Sequence, residues 1–263
     1  EQLALFGDKV QARALAAQVG VPLAPGTRGD TSLAGAEAFL AEHGAMMIKA
    51  VAGGGGRGMR AVSRLEDVEE AYTRCQSEAR QAFGNGDVYV EQLLPRARHI
   101  EVQILGDGSG AVSHLGEREC TIQRRNQKLV EIAPSPSLSP TLRARLTAAA
   151  VQLASAVRYE NVGTFEFLVD ATTQHDNASF AFIEANARLQ VEHTVTEEVT
   201  GIDIVQTQLH LAAGRSLAEL GLQQADIPAP RGFAMQVRVN METLAADGTV
   251  RPAGGTLSAF EVP

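Results

Sequence analysis

The chain has 263 residues, of which 44% are hydrophobic and 21% are charged, a composition typical of a globular protein with a sizeable core. A formal net charge of −8 argues against binding to nucleic acid, and the absence of a long apolar run argues against a membrane protein. We therefore expect a cytoplasmic protein. Two cysteines provide neither a disulfide framework nor a metal-ligand spacing.

The first 93 residues predict a connecting helix and then a small α/β unit. Helical periodicity over residues 8–18 ends at Gly20. A long helix is predicted to begin at a capping box formed by Ser63 and Glu66 and to end at Gly84. The other expected elements are a helix over 32–43 and strands over 46–50, 59–62 and 88–91.

The pattern changes after residue 95. Residues 98–105 alternate as a strand and predict a hairpin with 110–115, whereas residues 116–136 are polar and are expected to be irregular. Ser139, with Pro140 at the first helical position, is predicted to begin a helix that ends at Val157. Further expected elements are strands over 162–170 and 180–184, helices near 194–199 and 203–213, and new strands from residue 231.

A glycine-rich stretch follows the strand that contains Lys49. It formally contains G-x-G-x-x-G through Gly53, Gly55 and Gly58, but a strand rather than a helix follows, which argues against a dinucleotide site. No Gly-Lys-Ser/Thr closes the run, so a Walker loop is excluded. The remaining interpretations are a loop that folds over phosphates, with Lys49 at its base, and a floppy connector.

Two carboxylates are predicted to face each other in a strand hairpin. A register with Asp170 opposite Phe180 places Glu166 across from Glu184, a repulsive pair unless a cation lies between them. With the amide oxygen of Asn186, these residues offer the hard oxygen ligands that Mg²⁺ prefers, and Mn²⁺ is an alternative. In the competing interpretation, a neighbouring arginine, Arg188, neutralises the glutamates.

The same strand carries a polar row beyond residue 183. If it continued as a strand, alternate side chains from Glu184 to Glu192 would share one face, either as a functional site or as an ordinary exposed face. Only three of the 23 basic residues are lysines, and each one lies in a segment that is unusual on other grounds. A compact ammonium group suits contacts with phosphate, and these lysines are Lys9, Lys49 and Lys128.

These motifs together resemble the ATP-grasp core of biotin carboxylase, the component shared by acetyl-CoA, acyl-CoA and pyruvate carboxylases. The resemblance rests on residues 7–9, 49–58, 117–128, 163–167 and 184–201. It implies an α/β (α+β) fold of the ATP-grasp type, with a small α/β lid lobe and a larger, mostly antiparallel sheet lobe with helices. It also implies that the family's N-terminal lobe and most of its C-terminal lobe are missing. The implied units are a connecting helix (1–23), the lid (24–93), the catalytic lobe (94–230) and the start of the C-terminal domain (231–263).

The resemblance also implies roles for individual residues. Those for ATP are Lys9, Lys49, Gly54, Gly55, Gly56, Glu91, Leu94, His99 and Gln123, and those for the metal are Glu166, Glu184 and Asn186. Bicarbonate and biotin would be surrounded by Arg188, Gln190, Val191, Glu192 and Arg238. Among these, Glu192 would be the general base and Arg238 would stabilise the biotin enolate, while Lys128 would help to hold carboxyphosphate. Asn126 and Gln92 stand where the family commonly has His and Lys.

The implied activity is MgATP-dependent carboxylation of biotin, with bicarbonate as the carbon source. Its partners would be a biotin carboxyl carrier domain and a carboxyltransferase component. Two alternatives remain open: another ATP-grasp ligase that forms carboxyphosphate, of the carbamoyl-phosphate synthetase type, and a nucleotide-binding module without activity.

Overall fold

The computed structural model describes residues 2–52, 58–124, 126–173, 176–247 and 249–261, so the predicted contacts of Gly54, Gly55 and Gly56 lie outside the described residues. The helices are α1 (Gln2–Gly7), α2 (Lys9–Gln18), α3 (Leu33–His43), α4 (Val68–Phe83), α5 (Pro140–Ala156), α6 (His193–Thr200) and α7 (Ile204–Ala212). None of these helices is long and apolar enough to cross a membrane.

The strands form two larger sheets and one small hairpin. They are β1 (Met46–Ala50), β2 (Met59–Val62), β3 (Val88–Gln92), β4 (Ala97–Asp107), β5 (Val112–Arg124), β6 (Gln127–Ala133), β7 (Glu160–Asp170), β8 (Phe180–Asn186), β9 (Ala234–Val237), β10 (Glu242–Leu244) and β11 (Val250–Pro252). The strand orders are β2-β1-β3, β8-β7-β4-β5-β6-β9 and β10-β11, and neighbouring strands in each sheet are antiparallel.

The three-stranded sheet packs against α3 and α4 around buried Met46, Ile48 and Val68. The predicted capping box is wrong, because a short 3₁₀ turn over Leu65–Asp67 precedes α4 and no side chain caps that helix. Gly84 ends α4 in a left-handed conformation with φ 77°, which confirms the predicted stop.

Helices cover both faces of the six-stranded sheet. On one face, Ile100 and Ile104 of β4 belong to the same core cluster as Leu146 of α5. On the other, Leu105 packs in a separate cluster with residues of α7, including Leu211. The predicted start of α5 is confirmed, since the Leu142 backbone N–H donates to Ser139 Oγ at 3.2 Å and Pro140 is the first helical residue.

The prediction that residues 116–136 are irregular is wrong, because they contain most of β5 and all of β6. Several inward positions of these strands are charged. Arg118 and Glu131 have no exposed surface, and Glu117 is 3% exposed. Hydrophobic periodicity cannot detect a strand whose buried positions are occupied by paired charges.

The pairing of β7 with β8 confirms that Glu166 lies opposite Glu184. The predicted partner of Phe180 is wrong by one residue, since Phe180 pairs with Val169 rather than with Asp170. A bulge between Glu166 and Phe167 shifts the register by one residue. The Glu166–Glu184 and Val169–Phe180 pairs therefore occur in the same hairpin.

The last predicted unit is joined to the large sheet. β9 pairs with β6, with Glu131 opposite Gln236, although residues 231–263 were expected to begin a separate domain. The three-stranded sheet lies wholly within residues 24–93. The unit boundaries themselves stay a prediction.

Candidate active site

One polar cavity of about 260 Å³ gathers the residues predicted to bind metal, bicarbonate and biotin. Its walls come from β4 to β8, from Arg238 just after β9 and from the loop before α6. The predicted residues that line it are His99, Gln123, Lys128, Glu166, Glu184, Asn186, Arg188, Gln190, Val191, Glu192 and Arg238.

A second cavity of about 530 Å³ adjoins the first and shares His99, Gln123 and Glu184 with it. Its size is that of a small-molecule site. It lies between the two sheets, and the predicted ATP residues that line it are Lys9, Lys49, Glu91, Leu94, His99 and Gln123.

The polar row is not a continuous strand. β8 ends at Asn186, and residues 187–192 form the loop before α6, so the predicted alternation is wrong beyond that point. The turn begins where the Arg188 backbone N–H donates to the Asn186 carbonyl at 2.8 Å. Because the loop turns, Val191 lines the same cavity as Glu192, although alternation would have put them on opposite faces.

Lys128 is the central cation of the polar cavity. Its Nζ lies 2.7 Å from Glu192 Oε1 and 3.4 Å from Glu166 Oε2, and it also forms an ion pair with Glu101. Burial alone would lower the pKa of Lys128, but these carboxylates reverse the effect and raise the pKa well above its ordinary value. The ammonium group is therefore charged at neutral pH.

Glu192 is 3% exposed and lies between Lys128 and Arg238. Arg238 Nη2 donates to Glu192 Oε2 at 2.9 Å, opposite the contact from Lys128. Burial would raise the pKa of Glu192, but attraction to Lys128 is among the contacts that leave this pKa below its ordinary value. Glu192 is thus a buried carboxylate that stays ionised at neutral pH.

Glu166 is held by several donors. His99 Nε2 lies 2.5 Å from Glu166 Oε2, while Asn186 and Gln190 donate to Oε1 at 2.6 and 3.1 Å. Gln123 donates to His99 Nδ1 at 2.8 Å, so Nε2 carries the imidazole proton and donates to Glu166. Burial would raise the pKa of Glu166, but Lys128 and these hydrogen bonds lower it.

The donor set formed by Glu166 within β7 and by the end of β8 fits a hard divalent cation. The two facing carboxylates of Glu166 and Glu184 are both within reach of Asn186, at 2.6 and 3.4 Å from its Nδ2. Asn186 thus presents its nitrogen to them, whereas the sequence predicted its oxygen as a ligand. Gln190 Oε1 is buried and has no hydrogen-bond partner among the described residues, so it can accept from a bound ligand.

The structure contradicts the interpretation in which Arg188 neutralises Glu166 and Glu184. Among the described residues, Arg188 contacts Asn186 Oδ1 at 3.4 Å and the Leu189 carbonyl at 3.2 Å, and forms no ion pair with either glutamate. Lys9 lies 3.4 Å from Glu184 instead. The Arg188 guanidinium therefore remains available at the cavity wall.

Glu91 connects three elements beside the larger cavity. It is 3% exposed, forms an ion pair with Lys49 of β1, and accepts from Arg13 of α2 at 3.0 Å. Arg13 also donates to the Ala24 carbonyl at 2.7 Å. A buried carboxylate with two cationic partners thus joins α2 to the three-stranded sheet.

The sequence did not identify the layer of residues beneath the polar cavity. Arg118 is fully buried, pairs with Glu101, and donates to Gln103 and Thr196 at 2.9 Å each. The available signal was in β4, where Glu101 and Gln103 alternate with apolar residues in an otherwise buried strand. Glu131 was also missed, because hydrophobic periodicity does not detect β6, a strand with charge at a buried position.

A larger, mostly apolar cavity of about 580 Å³ lies elsewhere, between the start of α5, the end of α6 and the segment around Pro228. None of the predicted site residues lines it. Volume alone therefore does not locate the chemistry of this chain.

The two sheets, the cleft between them and its lysines and facing carboxylates define a nucleotide-binding protein of the ATP-grasp class. A family profile described as "Carbamoyl-phosphate synthase L chain, ATP binding domain" matches residues 8–220. The chain belongs to this family.

Relatives with solved structures include biotin carboxylases. The biotin carboxylase domain of the Hydrogenobacter thermophilus 2-oxoglutarate carboxylase, in complex with MgADP and bicarbonate, is 42% identical with a TM-score of 0.85, over 92% of this chain and 52% of that one. Biotin carboxylase from Campylobacter jejuni is 43% identical with a TM-score of 0.86, over 94% and 53% of the two chains.

Mitochondrial pyruvate carboxylase of Homo sapiens is 53% identical over 257 residues, which are 97% of this chain and 21% of that protein. The chain therefore spans about a fifth of the length of this curated relative.

Proposed function

We propose that this chain carries out the biotin carboxylase half-reaction, in which MgATP and bicarbonate carboxylate carrier-bound biotin. The observation that carries the proposal is the polar cavity itself, where the ionised Glu192 lies between Lys128 and Arg238. The same cavity is lined by Gln190, whose Oε1 has no hydrogen-bond partner among the residues that the structure describes. Bicarbonate is an anion with one O–H donor, so it suits a site that offers cationic groups and a buried acceptor.

In the first step, a bicarbonate oxygen attacks the γ-phosphorus of ATP, the bond to the β-phosphate oxygen breaks, and ADP leaves. Glu192 accepts the bicarbonate proton, and Arg188 orients the planar anion. Lys128 holds the carboxyphosphate that results, because its charge persists at neutral pH. A Mg²⁺ ion held by Glu166 and Glu184 would neutralise phosphate charge.

In the second step, the carboxyl group passes from phosphate to the ureido nitrogen of biotin, and the phosphate released takes the proton of that nitrogen. Arg238 stabilises the negative charge that develops on biotin, because its guanidinium lies at the cavity wall beside Glu192. Lys9 and Lys49 contact phosphates of ATP in the adjoining cavity, with Glu91 and Leu94 at its adenine end.

The partners we propose are a biotin carboxyl carrier domain and a carboxyltransferase component. Relatives include multi-domain proteins, among them a single-chain, multi-domain long-chain acyl-CoA carboxylase that is 39% identical with a TM-score of 0.78. A cytoplasmic location stays a prediction, and mitochondrial proteins are among the curated relatives.

The test is ADP release from MgATP, measured without bicarbonate, with bicarbonate, and with bicarbonate plus free biotin. Release that requires bicarbonate and rises with biotin is the expected result. Release that requires bicarbonate but is indifferent to biotin would instead favour a ligase of the carbamoyl-phosphate synthetase type. Binding of MgATP without any release would contradict the proposed activity.

The second candidate, a nucleotide-binding module without turnover, is favoured by one observation. Apolar side chains on and beside β9 are largely exposed, with Met235 at 64%, Val237 at 59% and Val239 at 79%. Such a surface promotes association. Self-association or binding of an apolar dye, in a sample that binds MgATP but releases no ADP, would support this candidate.

A further inference from the structure

Arg238 is held by carboxylates from two different elements. Glu131 of β6 accepts from Arg238 Nε at 2.7 Å and lies 2.6 Å from Nη2, while Glu192, before α6, accepts from Nη2 at 2.9 Å. One guanidinium is thus shared between Glu192, which lines the polar cavity, and Glu131, which does not.

Glu131 has no exposed surface, and Gln236 donates to its Oε2 at 3.4 Å. Burial raises the pKa of Glu131, and the attraction to Arg238 opposes that rise. A carboxylate at such a position is costly unless a cation accompanies it. The buried position is therefore maintained by Arg238, and Arg238 is in turn fixed by it.

The contacts use one edge of the guanidinium. Glu131 binds through Nε and Nη2 and Glu192 binds through Nη2, and Nη1 has no partner within the part of the chain that the structure describes. A guanidinium anchored along one edge presents its remaining donors in a fixed direction.

We propose that Glu131 is a positioning residue for Arg238. It fixes the guanidinium where negative charge develops on biotin. Its carboxylate also offsets part of the positive charge that would otherwise act on Glu192. This inference rests on the proposed function, in which Arg238 serves the second step. Loss of Glu131 should therefore impair transfer to biotin more than it impairs bicarbonate-dependent ATP cleavage.

The experiment compares the E131Q variant with the unmodified protein, both made as the intact natural polypeptide. We expect the biotin-stimulated part of ADP release to fall about 10- to 100-fold, the loss typical of a misplaced catalytic group. Release without biotin should change less than about 3-fold by the same reasoning. E131D, which keeps the buried charge and so also protects folding, should retain more of the biotin stimulation than E131Q.

E117Q provides the matched control, because Glu117 is also buried, at 3% exposed, and pairs with Arg143 at 2.7 Å on a different part of the sheet. It should lower the stability of the protein without altering the ratio of ADP release with biotin to ADP release without biotin. In an R238M background, E131Q should add little, since Glu131 acts through Arg238.

Equal loss of both rates in E131Q, or the same ratio change in E117Q, would overturn the positioning role while leaving the proposed function in place. Full additivity of E131Q and R238M would also overturn it. An unmodified protein without bicarbonate-dependent release would overturn the proposed function and this inference together.

Discussion

The Lys128 ammonium lies 2.7 Å from the Glu192 carboxylate, in a pocket where Lys128 also contacts Glu101 and Glu166. Lys128 is thus a counter-ion shared by three carboxylates that are each no more than 3% exposed, while Arg118 also pairs with Glu101 and Arg238 with Glu192. The stability of the fold and the ionisation of the proposed base depend on the same ammonium group.

Replacing the base should abolish turnover without preventing nucleotide binding. In E192Q the side chain keeps its size but can no longer accept the bicarbonate proton, so bicarbonate-dependent ADP release should fall roughly 10²- to 10⁴-fold. Calorimetric titration with MgATP should give an affinity close to that of the unmodified protein. Retention of more than about a tenth of the activity would show that another group accepts the proton.

Removing the shared cation should destabilise the protein. In K128M, Glu101, Glu166 and Glu192 lose their common counter-ion inside the sheet, and the free energy of unfolding at pH 7 should fall by about 3 to 5 kcal/mol. Urea denaturation followed by circular dichroism measures this change. R64M serves as the control because the Arg64 side chain is 67% exposed in its ion pair, and its effect should be below about 1 kcal/mol.

Acid should destabilise the fold through Glu166 and Glu192. Both groups have a pKa below the ordinary value of 4.5 in the folded state, so the unfolded chain binds more protons as the pH falls. Their contribution is complete above about pH 4.5 and is lost as the pH falls through the folded pKa values. The melting temperature should decrease from pH 5 towards pH 3, and less steeply in E192Q. A flat melting temperature over this range would contradict the ionised assignment.

A glycine contact provides a test of the fold that is independent of function. A Cβ at Gly106 would lie 2.0 Å from the Tyr159 carbonyl oxygen, which is backbone and cannot move aside alone. G106A should therefore lower the free energy of unfolding by about 1 to 3 kcal/mol or more. G7A, where a Cβ meets no atom within 4 Å, should leave stability unchanged or slightly higher. Similar stability of the two variants would contradict the packing around Tyr159.

Local sequence patterns were sufficient to predict where some helices begin and end. The start of α5 at Ser139 and the end of α4 at Gly84 each depend on one residue and its neighbours. The facing of Glu166 and Glu184 was also predicted, although the bulge that reconciles it with the rest of the hairpin has no sequence signature.

The central part of the site could not be predicted in the same way. Arg118 and Glu131 belong to strands whose inward positions carry charge, and their burial is stable only because partners arrive from distant elements. Thr196 of α6 and Arg238, just after β9, are such partners, and no local pattern in β5 or β6 announces them. A cation was expected between Glu166 and Glu184. In the structure, the Lys128 ammonium lies 3.4 Å from Glu166 and supplies part of that positive charge.

The position of β9 at the edge of the large sheet has a consequence for biosynthesis. Arg238 follows Glu131 by 107 residues, so at a translation rate of about 5 to 20 residues per second it is synthesised roughly 5 to 20 seconds later. During that interval the nascent chain can contain both strands of the β7–β8 hairpin but not the guanidinium that joins β6 to the loop before α6. A ribosome-bound chain thus contains the other residues that line the two cavities before Arg238 is added, so Glu131 and Glu192 lack this cation until synthesis has passed residue 238.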